Sequence, residues 1–358
     1  MKQFTRFLGP AALVVFLLTT FFSFMGFPIG SPLLYLNVIL ILGFFANYAI
    51  SQGMVYYVLK RLLETVQVLI VIATLTFLLL RVIPGGPFDT EKALPPAVKA
   101  NIEAKYNLNA PLHVQYADYM FGLLRGDFGQ SYKYIGRDVA DIISESLPAS
   151  FQLGIYSLIL AFVIGIIAGL FAAAHHNTWR DSLTMMAAIS GVALPSFLIA
   201  AILIVVFCFW LDLLPVALWD GPEYYILPVI VLGTGPAAFI ARLTRASVLD
   251  VIRSDYVRTA RAKGLSEKVV MYKHVLKNSL IPVLTYAGPL VAAILTGSFV
   301  VELIFNIPGI GKHFIQSVTN RDYPLIMGLT LLYSIMLVLA NLVVDLLYTY
   351  FDPRIKLQ

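Results

Sequence analysis

Few residues in this chain combine a type and a spacing that could do covalent chemistry. His175 and His176 are adjacent, so on a helix they point to different faces and cannot make the i, i+4 pair that grips a metal. Ser298, in "TGSF", has no His partner at its depth in the apolar run around it. Cys208 is the lone cysteine; inside an apolar run it reads as a small buried hydrophobe, and it leaves no disulfide framework. No G-x-x-x-x-G-K-[ST] segment occurs, so the chain has no nucleotide loop of its own. The pattern predicts no catalytic residue, no metal-ligand set and no cofactor.

Charge offers a different chemistry. "YVRTARAKGLSEKVVMYKHVLKNSLIP", from Tyr256 to Pro282, sets six Lys or Arg against one acid, Glu267. Widened to Arg242–Lys277, the stretch has nine basic residues against Asp250, Asp255 and Glu267, a net of +6 in a protein whose formal total is +5. Its spacing predicts helix, break, helix. Val248, Val251, Ile252 and Ala260 recur at helical intervals in the first part. Gly264 fits a left-handed C-terminal cap, and Ser266 with Glu267 fits the start of a second helix. That helix carries Val269, Val270, Lys273, Val275 and Lys277 toward Pro282. A lipid anchor needs the charge alone; the glycine break and the threaded apolar positions favour a folded docking element for a soluble partner.

The elements that must position this segment are set by composition. The 358 residues are 59% apolar and 13% charged, with a mean hydropathy of +0.84. Ordinary soluble domains run about 45–50% apolar and about 25% charged, so lipid must cover this surface. Eight apolar runs approach the roughly 20 residues a spanning helix needs: Leu8–Phe27, Leu33–Ile50, Leu62–Leu80, Phe151–Ala174, Leu183–Leu211, Ile226–Ala241, Ile281–Ile304 and Pro324–Leu346. None alternates like a barrel strand. The expected fold is an all-α membrane protein, a polytopic helical bundle.

With the amino terminus cytoplasmic, 16 of the 25 Lys and Arg fall on the cytoplasmic side. Short outer loops hold only Lys312 and Arg321. Both termini are then expected in the cytoplasm. Met1–Phe24 has the charge and apolar core of a signal peptide but no small-x-small cleavage site, so a retained two-helix hairpin is expected ahead of six further spans.

Within the spans the acids are Glu64, Glu302 and Asp345, all near segment ends, which argues against a stand-alone transporter driven by an ion gradient. Asn341 and Tyr286 read as helix-to-helix hydrogen-bonding groups. Small residues recur every four positions, at Gly165, Gly169 and Ala173, at Ala187 and Gly191, and at Gly288, Ala292, Ala293 and Gly297. Such stripes let helix backbones approach closely. Pro195, in "GVALPSF", should kink its helix.

The stretch "YVRTARAKGLSEKVVMYKHVLKNSLIPVLT" resembles the cytoplasmic EAA loop of binding-protein-dependent ABC importer permeases, in the variant of the oligopeptide and dipeptide branch. In order along the chain, "RVIPGGPF", "LPPAVKANIEAKYNLNAPL", "GDFGQS", "VALPSF", "IPGIG", "NRDYP" and "FDPRIK" agree with the same family, and most closely with its B-type oligopeptide permease subunits. The resemblance covers about residues 55–358. It implies a bacterial inner-membrane, type I importer permease core of six spans. A periplasmic peptide-binding protein delivers substrate, this chain pairs with a second homologous permease subunit, and two cytoplasmic ABC ATPase subunits supply the power. Thr259, Ala260, Arg261, Ala262, Lys263, Gly264 and Leu265 are carried over as ATPase-coupling residues. Two departures are plain: the family's leading Glu is Arg258 here, and its later Pro is Lys277.

The implied division is an accessory N-terminal transmembrane hairpin at 1–54, a first core helix at 55–83 and a periplasmic segment at 84–147. The permease domain follows at 148–347, with its coupling loop at 247–280, and a cytoplasmic tail at 348–358. Short helices are expected around Ala97–Tyr106 and Gln115–Leu124. Gly126, Asp127, Phe128, Gly129 and Ser131 are expected to face the receptor. Oligopeptides are the expected substrate, with dipeptides or nickel chelates as alternatives within the family. Hydrolysis of ATP is expected on the partners, and no contact with nucleic acid is expected.

Overall fold

The computed structural model describes residues 43, 55–83, 86–88, 104, 106–295 and 298–351. The first two apolar runs, the terminal tail and most of the helix expected around 97–106 lie outside them. Among the described residues, five helices are long and apolar enough to cross a membrane, or six when one bent pair is counted as a single span.

These are α1 (Val55–Val82), α3 (Val139–Ala174), α6 (Pro222–Val251), the run from α10 (Ile281–Leu295) into α11 (Phe299–Ile304), and α13 (Tyr323–Phe351). The bent pair is α4 (Trp179–Ala193) with α5 (Ser196–Leu203) and the π-helical turn Ile204–Trp210 that continues it. The two arms meet at 109°. Pro195 accounts for the break: the residue before a proline is pushed out of the helical region, and Leu194 sits at φ −86°, ψ 128°. The expected kink is therefore a corner, with Pro195 as the N-cap of the second arm.

The bundle is built on α3 against α6, and glycine makes that contact possible. A Cβ at Gly165 would come within 2.7 Å of the Ala237 carbonyl and of Ile240 Cβ. At Gly169 it would come within 2.6 Å of the Ala241 carbonyl and Thr244 Cβ. Gly191 of α4 meets Thr234 of α6 in the same way, at 2.8 Å. In lipid, association rests on such close packing, because apolar surface gains little by leaving acyl chains. Ala161, Ile240, Val283 and Ile294 fill the space between α3, α6 and α10. Tyr286 stacks on Phe239 with centroids 4.1 Å apart. Gly297, the last member of the third stripe, is outside the described residues.

Candidate functional site

The basic segment folds on a small core of its own. The helix α6 runs past the expected end of its span to Val251, and a turn at Ile252–Ser254 separates it from α7 (Asp255–Ala262). The single helix expected over 247–263 is thus two. Ser254 closes the turn through Oγ to the Val251 carbonyl at 2.6 Å, and Asp255 enters the first turn of α7. Beyond Gly264 come α8 (Glu267–Val269), a π-helical turn Val270–Leu276, and α9 (Lys277–Ser279). Ser266 takes the N-cap position, but its side chain makes no capping bond.

Val257 and Ala260 of α7, Val270 and Val275 of the π turn, Val248 of α6 and Ala173 of α3 bury one another. Val270 and Val275 are five apart and both fully buried. A ladder of i→i+5 bonds brings that spacing onto one face, whereas an α-helix favours three or four.

Gly264 has φ +75°, the left-handed region expected for it. Its N–H donates to the Arg261 carbonyl at 2.9 Å. Across the turn, Arg261 donates twice to Glu267, at 2.6 and 3.1 Å. The guanidinium holds the Glu267 carboxyl below the usual carboxylate range. Thr259, Arg261, Ala262, Lys263, Gly264 and Leu265 are exposed. Ala260 is not: it is 4% exposed and belongs to the core beneath the turn, one α-helical face away from its neighbours. Leu265, Val269 and Tyr272 add exposed apolar surface on the same element.

Next to this element is a polar lock that the sequence reading did not find. Arg245 of α6 donates to both carboxylate oxygens of Asp181 in α4, at 2.6 and 2.7 Å. The Asn177 N–H also donates to Asp181, at 3.1 Å, and His176 Nδ1 lies 3.3 Å from Arg245 Nη2. The Asp181 side chain is 5% exposed. His176 is therefore part of a junction between the α3–α4 turn and α6. An Asp at the third position of a helix opposite an Arg on another was the available signal; their 64-residue separation hid it.

At the other end of the bundle, the quoted motifs meet in space. The helix α2 (Leu112–Leu124) forms where the second short helix was expected. Gly126 and Gly129 have φ +77° and +81°, and Asp127 accepts from the Gly129 N–H at 2.8 Å. Gly126 and Asp127 are exposed, while Phe128 is half-buried against Val139 and Leu325.

Ser131 is completely buried, so it cannot meet a receptor. Its hydroxyl donates to the buried carboxylate of Asp322, which also accepts from the N–H groups of Tyr132 and Lys133, at 3.1 and 3.3 Å. "GDFGQS" and "NRDYP" are thus tied together, and Arg321 reaches the Gly86 carbonyl of "RVIPGGPF" at 3.4 Å.

"IPGIG" is explained by Glu302, fully buried at the end of its run. Its carboxylate accepts from Ser150 Oγ at 2.8 Å and from the N–H groups of Gly311 and Lys312 at 2.8 and 3.3 Å, in the first turn of α12 (Ile310–Asn320). The position agrees with the general preference of an acid for a helix N-terminus. A Cβ at Gly309 would overlap Glu302 Oε2 and Ser150 Oγ. Among the described residues no group of three His, Cys, Asp or Glu could hold a metal ion.

Residues 165–357 match the family described as the binding-protein-dependent transport system inner membrane component, and residues 54–154 match its N-terminal companion. The chain is 45% identical to the dipeptide transport system permease protein DppB of Bacillus subtilis over 305 residues, 85% of this chain and 99% of that one. It is 43% identical to the oligopeptide transport system permease protein OppB of Escherichia coli, again over 305 residues, 85% of this chain and 100% of the other. A solved MetNI methionine ABC transporter in an inward-facing conformation superposes with a TM-score of 0.49 and 16% identity, covering 59% of this chain and 96% of that one. The chain belongs to the family of binding-protein-dependent transport system inner membrane components.

Proposed function

We propose that this chain is a membrane permease subunit of an ATP-driven importer that carries oligopeptides from the periplasm to the cytoplasm. The observation that carries the mechanism is the Gly264 turn, a rigid, exposed, basic corner standing on its own buried core. One of two cytoplasmic ATPases receives this corner in our reading. Arg261 and Lys263 offer charge, while Leu265, Val269 and Tyr272 offer apolar area of the kind that anchors an interface. The Arg261–Glu267 pair keeps the corner's shape, so movement of an ATPase passes to α6 and α10 as a rigid push rather than being absorbed locally.

This assignment places Gly264 and both termini in the cytoplasm of a bacterial inner membrane, and Gly126–Gly129 in the periplasm. Gly126 and Asp127 then belong to the platform for a peptide-binding protein, and a second homologous permease completes the pathway. Catalysis stays with the ATPases, and no cofactor is needed in this chain. Dipeptides are a second substrate reading, favoured by the 45% identity to a dipeptide permease.

The test is a mild-detergent pull-down of the tagged chain, with and without Gly264→Val. Recovery of a second permease and ATPases, with hydrolysis and uptake disconnected in the variant, is the expected result. A chain that comes down alone would overturn the coupling assignment.

A further inference from the structure

Where α1 and α2 meet the start of α13, a cleft of about 180 Å³ opens. It is lined by Arg81, Gln115, Asp118, Tyr119, Asp127 and Tyr132, among others. That volume is below the about 300–1,000 Å³ of sites for drug-sized ligands, so it suits a headgroup or an amino-acid-sized fragment.

The guanidinium of Arg81 is held by Phe77 of α1 and Gln115 of α2. It lies 3.5 Å over the Phe77 ring and donates to the Phe77 carbonyl at 3.2 Å and to Gln115 Oε1 at 2.9 Å. A guanidinium has five N–H donors, and among the described residues no carboxylate lies within ion-pair distance of this one. The buried Tyr119 hydroxyl, on the same wall, has no hydrogen-bond partner among the described residues.

Opposite charge lines the same cleft. Asp118 is exposed and accepts only a long bond from Asn107, at 3.4 Å, while Asp127 is exposed and uses one oxygen on the Gly129 N–H. A simple anion would meet two acids here, and a simple cation would meet Arg81. A ligand with both charges a few bonds apart answers both walls.

The surroundings point to where such a ligand comes from. On the faces of α1 turned away from the cleft, Leu75, Leu78, Leu79 and Val82 are exposed apolar side chains. Tyr116, Tyr119, Tyr132 and Tyr323 gather round the end of the same span. Tyrosine girdles of this kind mark the level of lipid headgroups.

We propose that this cleft binds a zwitterion, its oxyanion on Arg81 and the Tyr119 hydroxyl and its primary ammonium toward Asp118 and Asp127. An aminophospholipid headgroup and the free termini of an amino acid or short peptide share this chemistry. The inference stands apart from the coupling assignment, because it uses none of its residues.

The test is native mass spectrometry of the full chain with phosphatidylethanolamine, phosphatidylglycerol or phosphatidylcholine added, and with alanyl-alanine as a free zwitterion. Retention of phosphatidylethanolamine about ten-fold above phosphatidylglycerol, the size of one charge-assisted hydrogen bond, supports the lipid source. Retention of alanyl-alanine in its place supports the free source. In either case Arg81→Gln lowers retention about ten-fold, and Asp118→Asn, at an exposed position, weakens the preference for an ammonium, since Asp127 remains. Equal retention of the three lipids with no retention of the dipeptide overturns the proposal, as does an Asp118→Asn protein that keeps the wild-type preference.

Discussion

The Gly264 turn separates two reasons for a glycine. A Cβ there would meet nothing within 4 Å, so space is not the constraint; the backbone is, at φ +75°. A left-handed residue other than glycine costs about 1–2 kcal/mol, more when β-branched. Gly264→Ala should therefore speed amide exchange in the Arg261–Glu267 turn by about ten-fold while the bundle's melting temperature holds, and Gly264→Val should do so more strongly. Unchanged exchange in both would mean that the conformation is imposed from elsewhere. This glycine was legible from sequence because its signal is local, a cap after a basic helix. The burial of Ala260 was legible too, in its helical spacing with Val248 and Ile252, whereas its membership of the coupling motif says nothing about which face it takes. Ser131 was misplaced for the same reason: its partner, Asp322, is 191 positions away.

At the scale of elements, the lock between Asp181 and Arg245 joins a turn to a helix and should behave as a pair. Arg245→Leu leaves the Asp181 carboxylate without its main partner, with only the Asn177 N–H and His176 beside it, a loss of about 1–3 kcal/mol. Adding Asp181→Leu should restore most of it, because the buried charge is gone. Thermal unfolding in detergent reads both, and a double variant no more stable than the single one would show that the pair is not the cause. Element boundaries divided by mechanism. The apolar runs and the Pro195 break could be read, since each depends on neighbours in sequence. The 109° angle at Pro195 could not, nor the π turn at Val270–Leu276. Both depend on what the helices pack against.

Across the whole molecule, the basic corner and the Gly126–Gly129 loop lie at opposite ends of α3 and α6, so a membrane should separate them. Cys208 is buried, with its thiol 3.6 Å from the Pro215 carbonyl, and the native protein should resist an impermeant maleimide. In a Cys208→Ser background, Asp127→Cys should label in intact spheroplasts and Lys263→Cys only after lysis. The reverse pattern would invert the proposed orientation. Residues 1–53 lie outside both family matches.

The carboxylate of Glu302 reaches further than its own hydrogen bonds. By filling the space beside residue 309, it restricts what a lineage of such proteins can inherit there. Alanine at 309 is incompatible with glutamate at 302 and also meets Ser150 Oγ, so shrinking 302 removes only part of the clash, and the smaller residue in turn leaves Ser150 and the start of α12 wanting an acceptor. Gly309→Ala should thus fail alone and be partly rescued by Glu302→Ala, as judged by the yield of folded protein.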